Sequence, residues 1–229
     1  DVLLVPQYSE VMSRRTIDIS SKLSDEVTLE LPVISSPMDT ITGPAMAKTM
    51  AQIGGLGVLH RYNTIKQQCS GVMSVNNRLP IAAAIGVTDE YIERTRRLLD
   101  SGCNIICIDV AHGHHALVRH AIKTLRKTFG TAIHIMAGNV ATLEGFNDLS
   151  DWGADSIRVG IGGGSICSTR IQTGHGVPTL QSILECSTSD RPAKLIADGG
   201  IKKSGDIVKA LAAGADFVML GSMLAATSE

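Results

Sequence analysis

The residues best suited to chemistry gather in one stretch, positions 159–178, which reads VGIGGGSICSTRIQTGHGVP and places six glycines around the single cysteine Cys167. Glycine loses the most backbone freedom on folding, so it is kept where φ must be positive or where backbone must approach something closely. A thiol in such a loop, flanked by Ser168, Thr169 and Arg170, reads as a nucleophile. It can be exposed to a ligand and held as thiolate by nearby positive charge and amide dipoles. A half-buried loop cysteine with no chemistry is the plain alternative. The carbonyls of the GGGSIC run could also turn inward on a monovalent cation, since oxygen-only coordination suits hard cations.

Two more glycine turns carry polar groups, ADGGIKKSGD at 197–206 and LGSM at 220–223. With Ser165 they could offer hydroxyls and backbone amides to one phosphate, and Asp198 is then placed to take two hydroxyls of a ribose. Tight strand-to-helix turns alone would also explain these glycines. A dinucleotide fingerprint would need a glycine where Ser165 stands, so that motif does not apply. The HGHH run at 112–115 lacks partners at convincing ligand spacing and reads as a loop opening the next helix. Ser36, Met38, His60, Asp109, Asn139 and Arg158 are the other polar or reactive residues at the ends of apolar runs.

Positioning these residues requires a scaffold, and the chain supplies a regular one. Short β-branched, apolar runs begin at 32, 56, 81, 105, 133, 156, 194 and 216, with amphipathic helical segments between them. Helices repeatedly close on a glycine just before the next strand (DSGCN, DWGAD, AAGAD). Apolar strands alternating with helices predict a parallel sheet covered by helices. Successive starts lie 22–28 residues apart except for one interval of 38, after the sixth run. Eight strands at this period predict a single (β/α)8 barrel over 1–229. The long interval places the cysteine loop at the carboxyl end of its sixth strand. An eighth helix is expected after FVMLGSMLAATSE, and without it one outer flank of the barrel should lie bare.

Composition excludes several classes. Net charge is −1, and no apolar run approaches the ~18 residues of a membrane span. Neither nucleic-acid nor membrane binding is therefore expected. Without a basic-then-apolar leader a cytoplasmic protein is the default. Five cysteines without a C-x-x-C pair argue against a disulfide framework or zinc ribbon, and Cys103 and Cys107 read as packing residues.

Taken together, DVLLVPQYS, ISSPMDT, MAGNVAT, VGIGGGSICSTR, IADGGIKKSGDIVKALAAGA and VMLGSMLA resemble the IMP dehydrogenase and GMP reductase family over essentially the whole chain. The resemblance implies a barrel enzyme of purine and GMP biosynthesis, assembled as a homotetramer and acting on IMP with NAD. Cys167 would be the nucleophile that forms a covalent thioimidate, and Thr169 a neighbour assisting proton movement. Ser165, Gly200, Gly221 and Ser222 would hold the phosphate. Asp198, beside Gly199, would take the ribose, with Ser36 and Met38 lining the nucleotide pocket. Asp109, Asn139, Gly160, Ile161 and Gly162 would face the nicotinamide cofactor, and carbonyls of Gly162, Gly164 and Cys167 would bind potassium. The dehydrogenase is the expected activity, with NADPH-dependent GMP reduction the alternative and a non-catalytic nucleotide-binding barrel a third reading. Gly163 replaces a family proline and should loosen the loop, and His175 stands where a small aliphatic residue is usual. No room exists for a regulatory CBS module after the second strand, and that compactness resembles the reductases. The flap bearing the water-activating residues would lie beyond Glu229.

Overall fold

In the computed structural model, residues 2–75, 79–88, 90–225 and 227 are described. Eight parallel strands close into a barrel: β3 (Val33–Ser35), β4 (Leu56–Leu59), β5 (Ala82–Ile85), β6 (Ile105–Asp109), β7 (His134–Val140), β8 (Ser156–Val159), β9 (Lys194–Asp198) and β10 (Phe217–Leu220). Each pairs with its chain neighbour, and β10 returns to pair with β3. These strands lie within a residue or so of the runs read from the sequence. A short antiparallel hairpin, β1 (Ser21–Lys22) and β2 (Thr28–Leu29), precedes them and was not foreseen.

Alternation along each strand divides the core. Inward residues such as Ile34, Leu56, Val58, Ala84, Cys107, Met136, Ile196 and Phe217 fill the barrel, and Leu23 and Leu29 from the hairpin pack onto the same cluster. Outward residues such as Ile106, Ile135, Ile157 and Val218 meet the helices α1 (Pro44–Gln52), α2 (Ile65–Ser74), α3 (Tyr91–Asp100), α4 (Ala116–Phe129), α5 (Leu143–Trp152), α7 (Thr179–Cys186) and α8 (Ser204–Ala212). Filling the barrel with side chains makes it a packed core rather than a pore. The long sixth connection contains an additional short helix, α6 (Thr169–Thr173), ahead of α7. The bare flank expected beside the last strand is not found. Outward-facing Val218 and Leu220 are 0% and 4% exposed, because α8 packs on β10 and Met223 and Leu224 join the outer core. The last residues of the SMLAATSE run, at 226, 228 and 229, lie outside the described ones.

Local signals set the helix starts. Thr64 and Gln67 form a reciprocal capping box at α2, and the Thr142 hydroxyl caps α5. His115 accepts from the Leu117 amide at 3.1 Å, so the HGHH run does open α4.

At the amino-terminal end of the strands, His134 Nε2 lies 2.8 Å from Ser156 Oγ. Nearby, Arg126 donates to Asp155 and to the carbonyls of Gly153, Gly130 and Ile133. Burial pushes the His134 imidazole down from 6.5 to about 4, with Asp155 partly opposing and Arg126 reinforcing the shift. The unfolded chain therefore binds the extra proton first as pH falls. This contribution is complete above about 6.5 and is lost progressively down to about 4, amounting to about 3 kcal/mol. Urea unfolding across that window should show a steeper acid loss of stability in the native sequence than in His134→Gln. Parallel losses in the two proteins would remove His134 as the cause.

Candidate active site

The carboxyl ends of the strands surround two adjoining cavities. One, about 630 Å³, is lined by Ser36, Met38, Asp109, Asn139, Arg158, the Gly160–Gly164 backbone, Cys167, Thr169, Asp198 and Gly199. The other, about 520 Å³, shares Ser36, Met38, Gly164, Cys167, Thr169, Asp198 and Gly199 and continues to Ser165, Gly200, Gly221 and Ser222. Every site residue that the family resemblance implied, Ile161 included, lines one or both, whereas His60 lines neither. The thiol sits on their common wall.

Cys167 is exposed. Its Sγ donates to Thr169 Oγ1 at 3.2 Å, and α6 begins two residues on. The guanidinium expected to favour a thiolate is used elsewhere: Arg170 donates through Nε to the Ile161 carbonyl at 3.1 Å and through Nη2 to the Val177 carbonyl at 2.6 Å. It thereby ties the two ends of the loop together. Across the mouth, Ser165 Oγ meets Ser222 Oγ at 3.3 Å, which brings hydroxyls 57 residues apart to one point of the second cavity.

The loop glycines answer to space as well as φ. Gly160 has φ of +137°, and a Cβ there would fall 2.0 Å from the Asp198 carbonyl oxygen, so no other residue fits. At Gly163 a Cβ would come within 2.5 Å of Thr179 Oγ1. The place a proline ring would take is therefore occupied from α7.

The same cavity holds a group of charges that the sequence did not announce. Arg158, 5% exposed, donates through Nη1 to Asp109 Oδ1 at 2.8 Å and through Nε and Nη2 to Asp198 Oδ2, both at 3.1 Å. Asn139 Nδ2 adds bonds to Asp198 Oδ2 and to the Gly160 carbonyl, both at 2.8 Å. Burial works against the Arg158 charge, yet Cys107, Asp109 and Asp198 together hold its proton more firmly than usual. Burial also pushes the Cys107 thiol up to about 12. Cys107 is therefore neutral near pH 7, and the two carboxylates supply the compensating charge. The register explains the reach. Asp109 pairs with Gly138, and Gly138 with Arg158, so a glycine on the intervening strand leaves a gap for the arginine to cross. A Cβ there would fall 2.7 Å from the Arg158 Cβ. Beyond Gly138 the register shifts, and this bulge re-aims Asn139 toward the cavity. An arginine in the otherwise apolar run SIRV and a glycine inside the strand HIMAGNV were the available signals.

Because Thr179 fills the space beside Gly163, Gly163→Ala should overpack the loop and lower stability by about 1–3 kcal/mol. Adding Thr179→Ala should recover most of that loss. Thermal melts of the single and double variants test this; a harmless Gly163→Ala would show that the loop adapts without help from α7.

The family model described as IMP dehydrogenase / GMP reductase domain matches residues 1–229. An inosine-5'-monophosphate dehydrogenase of Cryptosporidium parvum is 39% identical over 275 residues, covering 100% of this chain and 68% of the relative. A GMP reductase of Leishmania major is 30% identical over 366 residues, covering 100% and 74%. That alignment is longer than the 229-residue chain, so the reductase carries residues in the matched span that have no counterpart here. Compactness therefore does not mark a reductase. The crystal structure of inosine 5' monophosphate dehydrogenase from Legionella pneumophila superposes with a TM-score of 0.93 at 49% identity, covering 100% of this chain and 69% of that one. With the whole length matched by one family model and a closed barrel presenting the cysteine loop at its carboxyl end, the chain belongs to the IMP dehydrogenase / GMP reductase family.

Proposed function

We propose that this barrel oxidises IMP to XMP with NAD, through a covalent adduct on Cys167, as a step of GMP biosynthesis. The observation that carries the reading is the position of the thiol, exposed on the wall shared by a hydroxyl- and glycine-lined cavity and a carboxylate-lined one. In the first, Ser165, Gly200, Gly221 and Ser222 suit the nucleotide phosphate, and Ser36 and Met38 line the way to the base. Asp198 suits the ribose, because three donors occupy its Oδ2 while none of the described residues reaches Oδ1.

Cys167 as thiolate would bond to C2 of the purine as the hydride leaves that carbon. Thr169 Oγ1 stands within reach of the thiol proton. Water then adds to the same carbon, the C–S bond breaks, and XMP leaves with the thiol restored. Asp109, Asn139, Gly160, Ile161 and Gly162 would hold NAD, whose contribution is to accept the hydride. Asn139 fits that group: its Oδ1 is buried without a partner and is free to accept from a carboxamide. Potassium would sit on carbonyls of Gly162, Gly164 and Cys167. The Gly164 carbonyl accepts one bond from the Cys167 amide at 3.1 Å, which leaves a lone pair, and among the described residues no donor reaches the other two. The family resemblance supports a homotetramer. Five free cysteines suit a reducing cytoplasm, and among the described residues no helix is long and apolar enough to cross a membrane.

GMP reduction remains the competing activity, since relatives of both names match the whole chain. Paired assays separate them: IMP with NAD should yield NADH and XMP, while GMP with NADPH should yield no ammonia. The reverse pattern would assign the reductase.

Cys167→Ala should abolish turnover while leaving IMP affinity within about tenfold, or ~1.4 kcal/mol, because phosphate and ribose contacts supply most of the binding. Substantial residual turnover would sink the nucleophile. Replacing lithium by potassium should raise the rate, by ordering the loop from Gly162 to Cys167; equal rates in both salts would take the cation out of the scheme.

A further inference from the structure

We propose that Arg158 is a positioning residue that holds Asp109 and Asp198 as one unit, so that the nucleotide and nicotinamide halves of the site are tied through a single guanidinium. The inference rests on the functional reading above and goes beyond its named residues. A buried arginine paired to one carboxylate is commonly structural, but this one has two, from β6 and β9, and both line the cavity. Its side chain is 7% exposed against 18% and 15% for Asp109 and Asp198. The cation is thus sheltered, while its partners reach the space a ligand would fill.

The hydrogen bonds give the unit its direction. Arg158 takes Oδ1 of Asp109 and Oδ2 of Asp198, and among the described residues no donor reaches the remaining oxygen of either. Each carboxylate is therefore fixed by one oxygen and free to bind with the other. A planar guanidinium can serve both at once because its five donors lie in a rigid fork. A lysine ammonium at the same Cα is a single point and cannot hold both in these positions. The missing side chain at Gly138 lets the base of Arg158 lie close against β7, and Asn139 braces Asp198 from the same strand.

The test uses the purified enzyme, with calorimetric titration of IMP and steady-state kinetics in NAD. Arg158→Lys should raise both the IMP dissociation constant and the KM for NAD by about tenfold or more, with a smaller change in kcat. Asp109→Asn should raise the KM for NAD alone, and added to Arg158→Lys it should contribute little more, because its effect runs through the same contact. Both constants remaining within about twofold in folded Arg158→Lys, or full additivity of the pair, would overturn the proposal. Should that variant not melt cooperatively, Gly138→Ala displaces the arm instead and should raise both constants together; a folded Gly138→Ala that raises neither is equally fatal. Failure of IMP to bind the unaltered protein would overturn the functional reading itself.

Discussion

A charge buried at the mouth of an apolar barrel is tolerated only with its counter-charges in place, and the ion pairs of Arg158 with Asp109 and Asp198 meet that condition here. Removing one partner from such a group typically costs about 3–5 kcal/mol, because an uncompensated charge is left behind. That is a large share of a domain's net stability. The energetics that hold the group together therefore also fix where two cavity-lining carboxylates stand. Stability and site geometry depend on the same few hydrogen bonds.

This constraint spreads through four neighbouring strands, β6 to β9. Gly138 has no room for a Cβ beside the Arg158 Cβ and backbone, and the bulge beyond it turns Asn139 onto Asp198 and the Gly160 carbonyl. Gly160 in turn lies so close to the Asp198 carbonyl that no Cβ fits. The start of the cysteine loop is thus anchored to the carboxylate group, while Arg170 ties the loop's later part to its beginning. A glycine-rich loop need not be loose when its backbone is clamped at both ends.

The family joins two activities, one oxidising and one reducing, on this barrel. Relatives accommodate additional residues within the matched span. A barrel tolerates this because its core is formed by the strands and the inward faces of the helices, whereas the loops lie outside it.

The repeating strand-and-helix pattern was legible in the sequence because burial imposes a periodicity of its own, and all eight barrel strands stand where apolar runs of near-constant spacing placed them. The cysteine loop, the ADGG and GSM turns and the strand-end Asp109 and Asn139 were legible too, since polar and glycine residues that follow apolar runs fall at the carboxyl ends of the strands. The hairpin of Ser21–Lys22 and Thr28–Leu29 was not legible, because two-residue strands carry no pattern. Nor was the partnership of Arg158 with carboxylates 49 and 40 residues away, or the use of Arg170 on carbonyls rather than on the thiol. Local sequence determines which residues reach the end of a strand and which turns they sit on. Which of them touch is decided by barrel closure and strand register, and these exist only once distant segments have paired.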